Sequence, residues 1–357
     1  MKKTFLISTG GSGGHITPAT ILGDHLSDIA KIIISSDKRG MKYLDERKYD
    51  VKVINTPKLN NFLLLPFNLI IIFFLILKSI SFILKFKVNK LISTGGYMSL
   101  PLLFAARILR VEIFLIEPNQ VLGRTNKLFL GSCSKIICYS KKIKNFPQKF
   151  SSKIYLIDPL VKKEIYNFNL NNNSEKIFNL LIVGGSQGAK IFDENLKYYI
   201  KNISHKIPLK IFHQTNERNI LILQNFYKEH NVDNEVFTYE KNFTNILTQT
   251  NLSITRAGAS TLAELSVLNI PFIAVPLATS KDNHQFENAN FYKERNCCWL
   301  LEQNLFESKI EELLNNIILN KLEYLDKKDN LKKLNYQNTW INVNQKILRI
   351  FNENRTS

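Results

Sequence analysis

The stretch from Thr255 to Gln285 holds the densest set of residues able to bind a charged ligand. It runs Thr-Arg-Ala-Gly-Ala-Ser-Thr-Leu-Ala-Glu-Leu, continues as an apolar segment to Pro276, and closes on Lys281-Asp282-Asn283-His284-Gln285. An apolar strand, Leu252-Ser253-Ile254, feeds a turn at Ala257-Gly258-Ala259 and then a helix opening with Ser260 and Thr261. Free N–H groups and the positive end of a helix dipole at such a turn suit phosphate. Glu264, one helical turn past Ser260, could accept from the two hydroxyls of a ribose. It also reads as a surface glutamate, which any helix start favours.

Three more glycine turns follow apolar strands. The first is Thr9-Gly10-Gly11-Ser12-Gly13-Gly14-His15, the second Thr94-Gly95-Gly96-Tyr97, the third Gly184-Gly185-Ser186-Gln187-Gly188. In the first, Ile16 stands where a dinucleotide fingerprint needs its last glycine, so a nicotinamide enzyme is disfavoured. In the third, Ala189 and Ile191 replace the glycine and hydroxyl residue of a phosphate-binding ATPase loop. The paired glycines still let a diphosphate approach the backbone. His15 offers a neutral imidazole able to take a proton near physiological pH. Its alternative role is to pack at the start of a helix.

These turns need strands and helices to hold them. Thr4–Ser8 reads as a buried strand, with a helix from Pro18 to about Ile29, where proline's missing N–H costs little. Met1-Lys2-Lys3 and Phe5-Leu6-Ile7 mimic a secretory leader, but the glycines end the apolar run too soon. Strands follow at 31–35, 51–54, 91–93, 112–116 and 135–139, the last read as closing the first half, and a helix runs from Pro101 to about Leu109. Segments 141–153 and 167–176 suggest a boundary. The second half restarts with Phe178–Val183 and continues with strands at 210–213 and 235–239, whose ends near Gln214 and Glu240 would border a ligand cleft. Helices follow Phe306. The fold class is therefore α/β, with two doubly wound Rossmann-like domains facing a central cleft. Residues 1–160 and 161–340 form the domains, and 341–357 a helix able to pack back on the first.

A chain of 357 residues, 45% hydrophobic, can bury a substantial core. Cys133, Cys138, Cys297 and Cys298 have neither zinc nor disulfide spacing, and we expect a reduced cytoplasmic protein. The net charge of +18 comes without an aromatic-and-basic signature, so no nucleic-acid partner is expected. From Phe62 to Lys85 the chain is strongly apolar, interrupted by Pro66 and Asn68. Lys78, Ser81 and Lys85 fall on one side at helical spacing, which fits a helix lying in a membrane interface with Phe73, Phe74, Ile76 and Leu77 in the acyl boundary. A buried core helix fits as well.

Arg-Ala-Gly-Ala-Ser-Thr-x-x-Glu followed by Pro-x-x-x-x-Pro and Asp-Asn-His-Gln resembles the donor motif of the MurG family, and the two paired-glycine loops resemble that family's others. The resemblance spans Leu6 to about Trp299. It implies the GT-B glycosyltransferase fold and transfer of N-acetylglucosamine from UDP-N-acetylglucosamine to undecaprenyl-diphosphoryl-muramoyl-pentapeptide, in peptidoglycan synthesis at the cytoplasmic face of the inner membrane. It places the donor at Ser12, Gly13, Gly14, Asn119, Ser186, Glu240, Arg256, Ala259, Ser260, Thr261, Glu264 and Gln285. The acceptor falls to Thr94, Gly95, Gly96, Tyr97 and Glu117, and the catalytic base to His15. The chain departs from the family at Ile116 and Pro118, where histidine and glutamine are usual, and at Val161, where an arginine is missing. Without an Asp-x-Asp pair, neither metal nor cofactor is expected, and hydroxyls and helix N-termini must stabilise the leaving diphosphate. The alternatives are a UDP-N-acetylglucosamine epimerase of the same fold and a non-catalytic nucleotide-sugar-binding membrane subunit.

Overall fold

The computed structural model describes residues 2–57, 63–168, 177–185, 188–238, 240 and 243–352. The chain divides into two units, Met1–Leu160 with Trp340–Ser357, and Val161–Thr339. The sequence reading of 167–176 falls outside the described residues from position 169 onward, as does Phe62.

Seven strands build the first unit: β1 (Lys3–Ser8), β2 (Ala30–Ser36), β3 (Asp50–Val53), β4 (Val88–Ser93), β5 (Glu112–Glu117), β6 (Lys135–Cys138) and β7 (Ile154–Leu156). All are parallel, in the order β3-β2-β1-β4-β5-β6-β7. Because helices cover both faces, alternate residues of each strand enter different cores. Leu6, Leu91 and Leu115 pack on one side with Ile83 and Leu103. Phe5, Ile7 and Phe114 pack on the other with Ile347 and Phe351 of the helix Trp340–Asn352. That helix is tied down by Lys135 Nζ, which donates to the Ile350 carbonyl at 2.8 Å, and by Lys346 against Asp158 at 2.6 Å.

The apolar segment is a single helix, Leu65–Lys85, with Pro66 in its first turn, where no N–H is needed. Phe86 and Lys87 (φ 49°) end it and turn the chain into β4. Ile72, Ser79 and Ile83 face inward, toward the helix Leu100–Ile108. Phe73 and Phe74 on the outer face are 57% and 62% exposed, and Leu77 and Leu84 are exposed beside them. Lys78, Ser81 and Lys85 lie along the same outer stripe. Ile76, expected among the outward residues, packs inward instead. By length and composition this is the one helix among the described residues able to cross a membrane.

Six parallel strands build the second unit: β8 (Phe178–Val183), β9 (Leu209–Gln214), β10 (Asp233–Phe237), β11 (Leu252–Thr255), β12 (Phe272–Ala274) and β13 (Trp299–Leu300). Their order is β10-β9-β8-β11-β12-β13. Each sheet therefore reverses its winding between its first and fourth strands, β1/β4 and β8/β11. In open α/β sheets the crevice beyond such a reversal binds ligands.

Two readings are corrected. β6 does not close the first sheet, since β7 pairs with it along the edge. The first helix starts at Gly13, five residues before Pro18, and ends at Leu26. Gly13 and Gly14 lie in its first turn, and Pro18 lies inside it.

Candidate functional site

In the first unit the loops after β1 and β4 flank the winding reversal. Ser8 and Ser93 are register partners, and the Thr94 N–H donates to the Ser8 carbonyl at 3.1 Å, so both loops leave the sheet level with each other. Gly10, Gly11, Gly95 and Gly96 all have φ between 81° and 147°, the region that favours glycine. His15 lies where the loops meet. Its Nδ1 bonds the Thr94 carbonyl at 2.8 Å. Since a carbonyl only accepts, Nδ1 carries a proton, and in the neutral ring Nε2 then holds the lone pair, which is the tautomer of a base. A methyl on Gly96 would come within 3.6 Å of that Nε2.

Thr94 and Gly95 are buried, while Gly96 and Tyr97 are half-buried. The Thr94 hydroxyl donates to Thr9 Oγ1, and Thr9 Oγ1 donates to the His15 carbonyl, both at 2.8 Å. Thr94 therefore acts on the crevice by orienting His15.

Glu117 is only 2% exposed, and burial raises its carboxyl pKa despite the hydrogen bonds it accepts. Those come from the Gly123 N–H at 2.7 Å, Asn126 Nδ2 at 3.0 Å and Asn119 Nδ2 at 3.1 Å. These bonds hold the loop that carries the half-buried Asn119. Asn126, which sequence reasoning missed, bridges this carboxyl to the Ile116 carbonyl at 3.0 Å.

In the second unit the loops after β8 and β11 flank the other reversal. Ser186 and Gln187 lie outside the described residues. Gly184 is required because a Cβ there would meet Ala189 N at 2.3 Å. Past Gly188 the chain enters a helical turn carrying Asp193. This buried carboxylate accepts from Thr215 Oγ1 at 2.7 Å and Asn219 Nδ2 at 2.6 Å, and bonds His213 Nε2 at 3.2 Å. Desolvation opposes its charge, but hydrogen bonds from His213, Asn219 and Thr215 prevail and keep its pKa below the ordinary value. The result pins the 215–219 loop against Gly188, whose Cβ would lie 3.2 Å from Asn216 N.

The β11 loop leads into the helix Ala259–Val267, whose first internal bond is Leu262 N–H to the Gly258 carbonyl. The N–H groups of the first turn thus point out of the helix end. Ser260 and Thr261 are half-buried, and their hydroxyls have no partner among the described residues. Gly258 has φ −71°, which any residue adopts, and nothing lies within 4 Å of where its Cβ would be. A side chain there would project into open space.

Glu264 is half-buried, with desolvation outweighing the pull of Lys162 and pushing its pKa up to about 7. Arg256 supports the loop from beneath. It donates to the Val275 carbonyl at 3.2 Å, sits over Phe192, and is pulled down to about 10 by desolvation. Gln285 opens the helix His284–Lys293 side by side with His284. Its Oε1 accepts the Leu277 N–H at 2.9 Å, which leaves Nε2 as its donor end. Asn288, also missed, donates to the Ala257 carbonyl at 3.1 Å and fastens this helix to the β11 turn. Glu240 is half-buried, just past β10.

Family models match both units: the glycosyltransferase family 28 N-terminal domain over residues 5–138 and its C-terminal domain over residues 179–339. A Pelagibacter ubique (strain HTCC1062) protein is 51% identical, covering 99% of this chain and 100% of its own length. It is named UDP-N-acetylglucosamine–N-acetylmuramyl-(pentapeptide) pyrophosphoryl-undecaprenol N-acetylglucosamine transferase. The crystal structure of Acinetobacter baumannii MurG superposes with a TM-score of 0.76 at 24% identity, covering 98% of this chain and 99% of that one. A UDP-GlcNAc 2-epimerase from Neisseria meningitidis bound to UDP-GlcNAc superposes less closely, with a TM-score of 0.66 at 14% identity, covering 98% of this chain and 100% of that one.

Proposed function

Because the chain belongs to glycosyltransferase family 28, with the two Rossmann-like units of the GT-B fold, we propose that it moves N-acetylglucosamine from UDP-N-acetylglucosamine to undecaprenyl-diphosphoryl-N-acetylmuramoyl-pentapeptide. The observation that carries this reading is identity of 51% with a transferase of that name over 99% of the chain. The epimerase alternative has only a likeness of fold behind it.

The donor belongs to the second unit. Ser260, Thr261 and the N–H groups of their helical turn receive the diphosphate, Glu264 accepts from the ribose, and Gln285 Nε2 donates to the sugar. A glycine at 258 leaves the room this needs. The acceptor belongs to the first unit, at the two glycine loops, a reading that moves Ser12, Gly13 and Gly14 from the donor, where the family resemblance puts them, to the acceptor. Its hydroxyl attacks the anomeric carbon, the bond to the donor phosphate breaks with its electron pair leaving on UDP, and His15 Nε2 takes the hydroxyl proton. Charge that develops on the leaving diphosphate meets fixed N–H and O–H dipoles.

The acceptor's polyprenyl tail stays in the bilayer, so the first unit works at the membrane surface. The exposed outer face of the Leu65–Lys85 helix is the docking element we assign, with Phe73, Phe74 and Leu77 in the acyl boundary and Lys78 and Lys85 near lipid phosphates. Incubation with labelled UDP-N-acetylglucosamine and a short-chain lipid acceptor should yield disaccharide-lipid and UDP in equal amounts. Release of N-acetylmannosamine without acceptor consumption would favour the epimerase.

A further inference from the structure

One cationic side chain at the first-unit crevice has no role in the reading above. Arg39 follows β2, on the short helix Lys38–Met41, and meets both glycine loops. Its Nε and Nη2 donate to Asp37 Oδ2 at 2.9 and 2.6 Å, and Nη2 also donates to the Tyr97 hydroxyl at 2.5 Å. Its guanidinium carbon lies 5.6 Å from the Tyr97 ring centroid. Asp37 is buried, and its other oxygen accepts the N–H groups of Gly11 at 2.8 Å and Gly40 at 3.0 Å. The carboxylate therefore points into the fold, while the Arg39 side chain stays 47% exposed. A guanidinium has five N–H donors. Those on Nε and Nη2 are committed to Asp37 and Tyr97, and the pair on Nη1 has no partner among the described residues.

The loop itself cannot supply these donors. The Gly11 N–H is taken by Asp37, and the Ser12 N–H by the Gly10 carbonyl at 3.2 Å. That leaves the N–H groups of Gly13 and Gly14 at the start of a 14-residue helix. Arg39 adds a held cation to the same loop, its Nη2 lying 3.7 Å from where a Cβ on Gly11 would stand. The N–H groups on Nη1 lie in the guanidinium plane and diverge, so Nη1 offers a phosphate a charged donor rather than a bidentate fork.

We propose that Arg39, clamped by Asp37 and Tyr97, binds the diphosphate of the lipid-linked acceptor. This rests on the acceptor reading given above. His15 then meets the sugar hydroxyl while Arg39 meets the phosphates at the far end of the same sugar, with the Gly95-Gly96 turn between them.

The test uses the full chain with a water-soluble short-chain acceptor, so that lipid headgroups do not enter, and a matched acceptor with a neutral linker in place of the diphosphate. Arg39→Ala should raise the acceptor KM about tenfold and leave the donor KM within twofold. Arg39→Lys keeps a charge beside Asp37 but has three N–H donors in place of five, and should fall between. With the neutral-linker acceptor, wild type and both variants should have the same KM. An unchanged acceptor KM in both variants, or an equal loss with the neutral-linker acceptor, overturns the assignment of Arg39 alone. A wild-type protein that transfers no sugar to either acceptor overturns the functional reading and this one with it.

Discussion

At the scale of single residues, His15 and Glu264 are set for their tasks by neighbours in different ways. The Thr94 carbonyl fixes the His15 tautomer, so His15→Ala should lower kcat by about 10² to 10⁴ if the ring is a general base, with the donor KM little changed. Steady-state kinetics decide it. Near-normal turnover with only a lower Tm would make the ring a packing residue. Desolvation pushes the Glu264 pKa up to about 7. A carboxylate accepts from two ribose hydroxyls better than a carboxylic acid, so UDP affinity should rise as pH increases through about 7, and calorimetry between pH 6 and 8 would test it. Glu264→Ala should remove that dependence and cost about 1.5 to 3 kcal/mol of UDP binding. The folded protein holds this proton at a pH where the unfolded chain has released it. The group's contribution to stability therefore falls as pH rises from the unfolded value toward about 7. Glu264→Gln should accordingly be the more stable protein at pH 8 while binding UDP less well.

At the scale of elements, the glycine turns and the Ser260 helix were legible because each is local: strand, turn and helix start lie within a dozen residues. What escaped needed long-range pairing. Asp37, Arg39 and Tyr97 meet only because the winding reversal sets β4 beside β1 and brings residues nearly sixty apart into one crevice. Asn288 reaches the β11 turn from a helix 31 positions on. β7 and β13, three and two residues long, are too short to carry any periodicity. The Leu65–Lys85 helix was ambiguous because its two stripes differ. Its inner stripe is core, and its outer stripe is apolar and basic. Lys78→Glu with Lys85→Glu should release the protein from anionic vesicles in a sedimentation assay, each lysine being worth about 1 kcal/mol, with UDP binding unchanged. Wild-type protein that resists both high salt and alkaline carbonate would mean that the helix spans the bilayer.

At the scale of the whole molecule, the first unit is discontinuous. Val343, Ile347, Ile350 and Phe351 are buried against its sheet, each worth about 1.5 to 3 kcal/mol of burial. Their sum is comparable to a domain's whole margin of about 5 to 15 kcal/mol. Removing residues 340–357 should therefore unfold the first unit or drop its melting transition steeply. The second unit, Val161–Thr339, should keep its transition and its affinity for UDP. Scanning calorimetry with and without UDP would resolve the two, and a single unshifted transition would refute the division. The order of manufacture follows from the same helix. On the ribosome the first unit emerges first, yet it must wait, its Phe5 and Phe114 uncovered, until the whole second unit has been made and residues 340–352 arrive to close it. The half that carries the exposed apolar helix is the last to be finished, so a nascent chain stalled anywhere before Trp340 leaves an open, apolar half to the cell's chaperones.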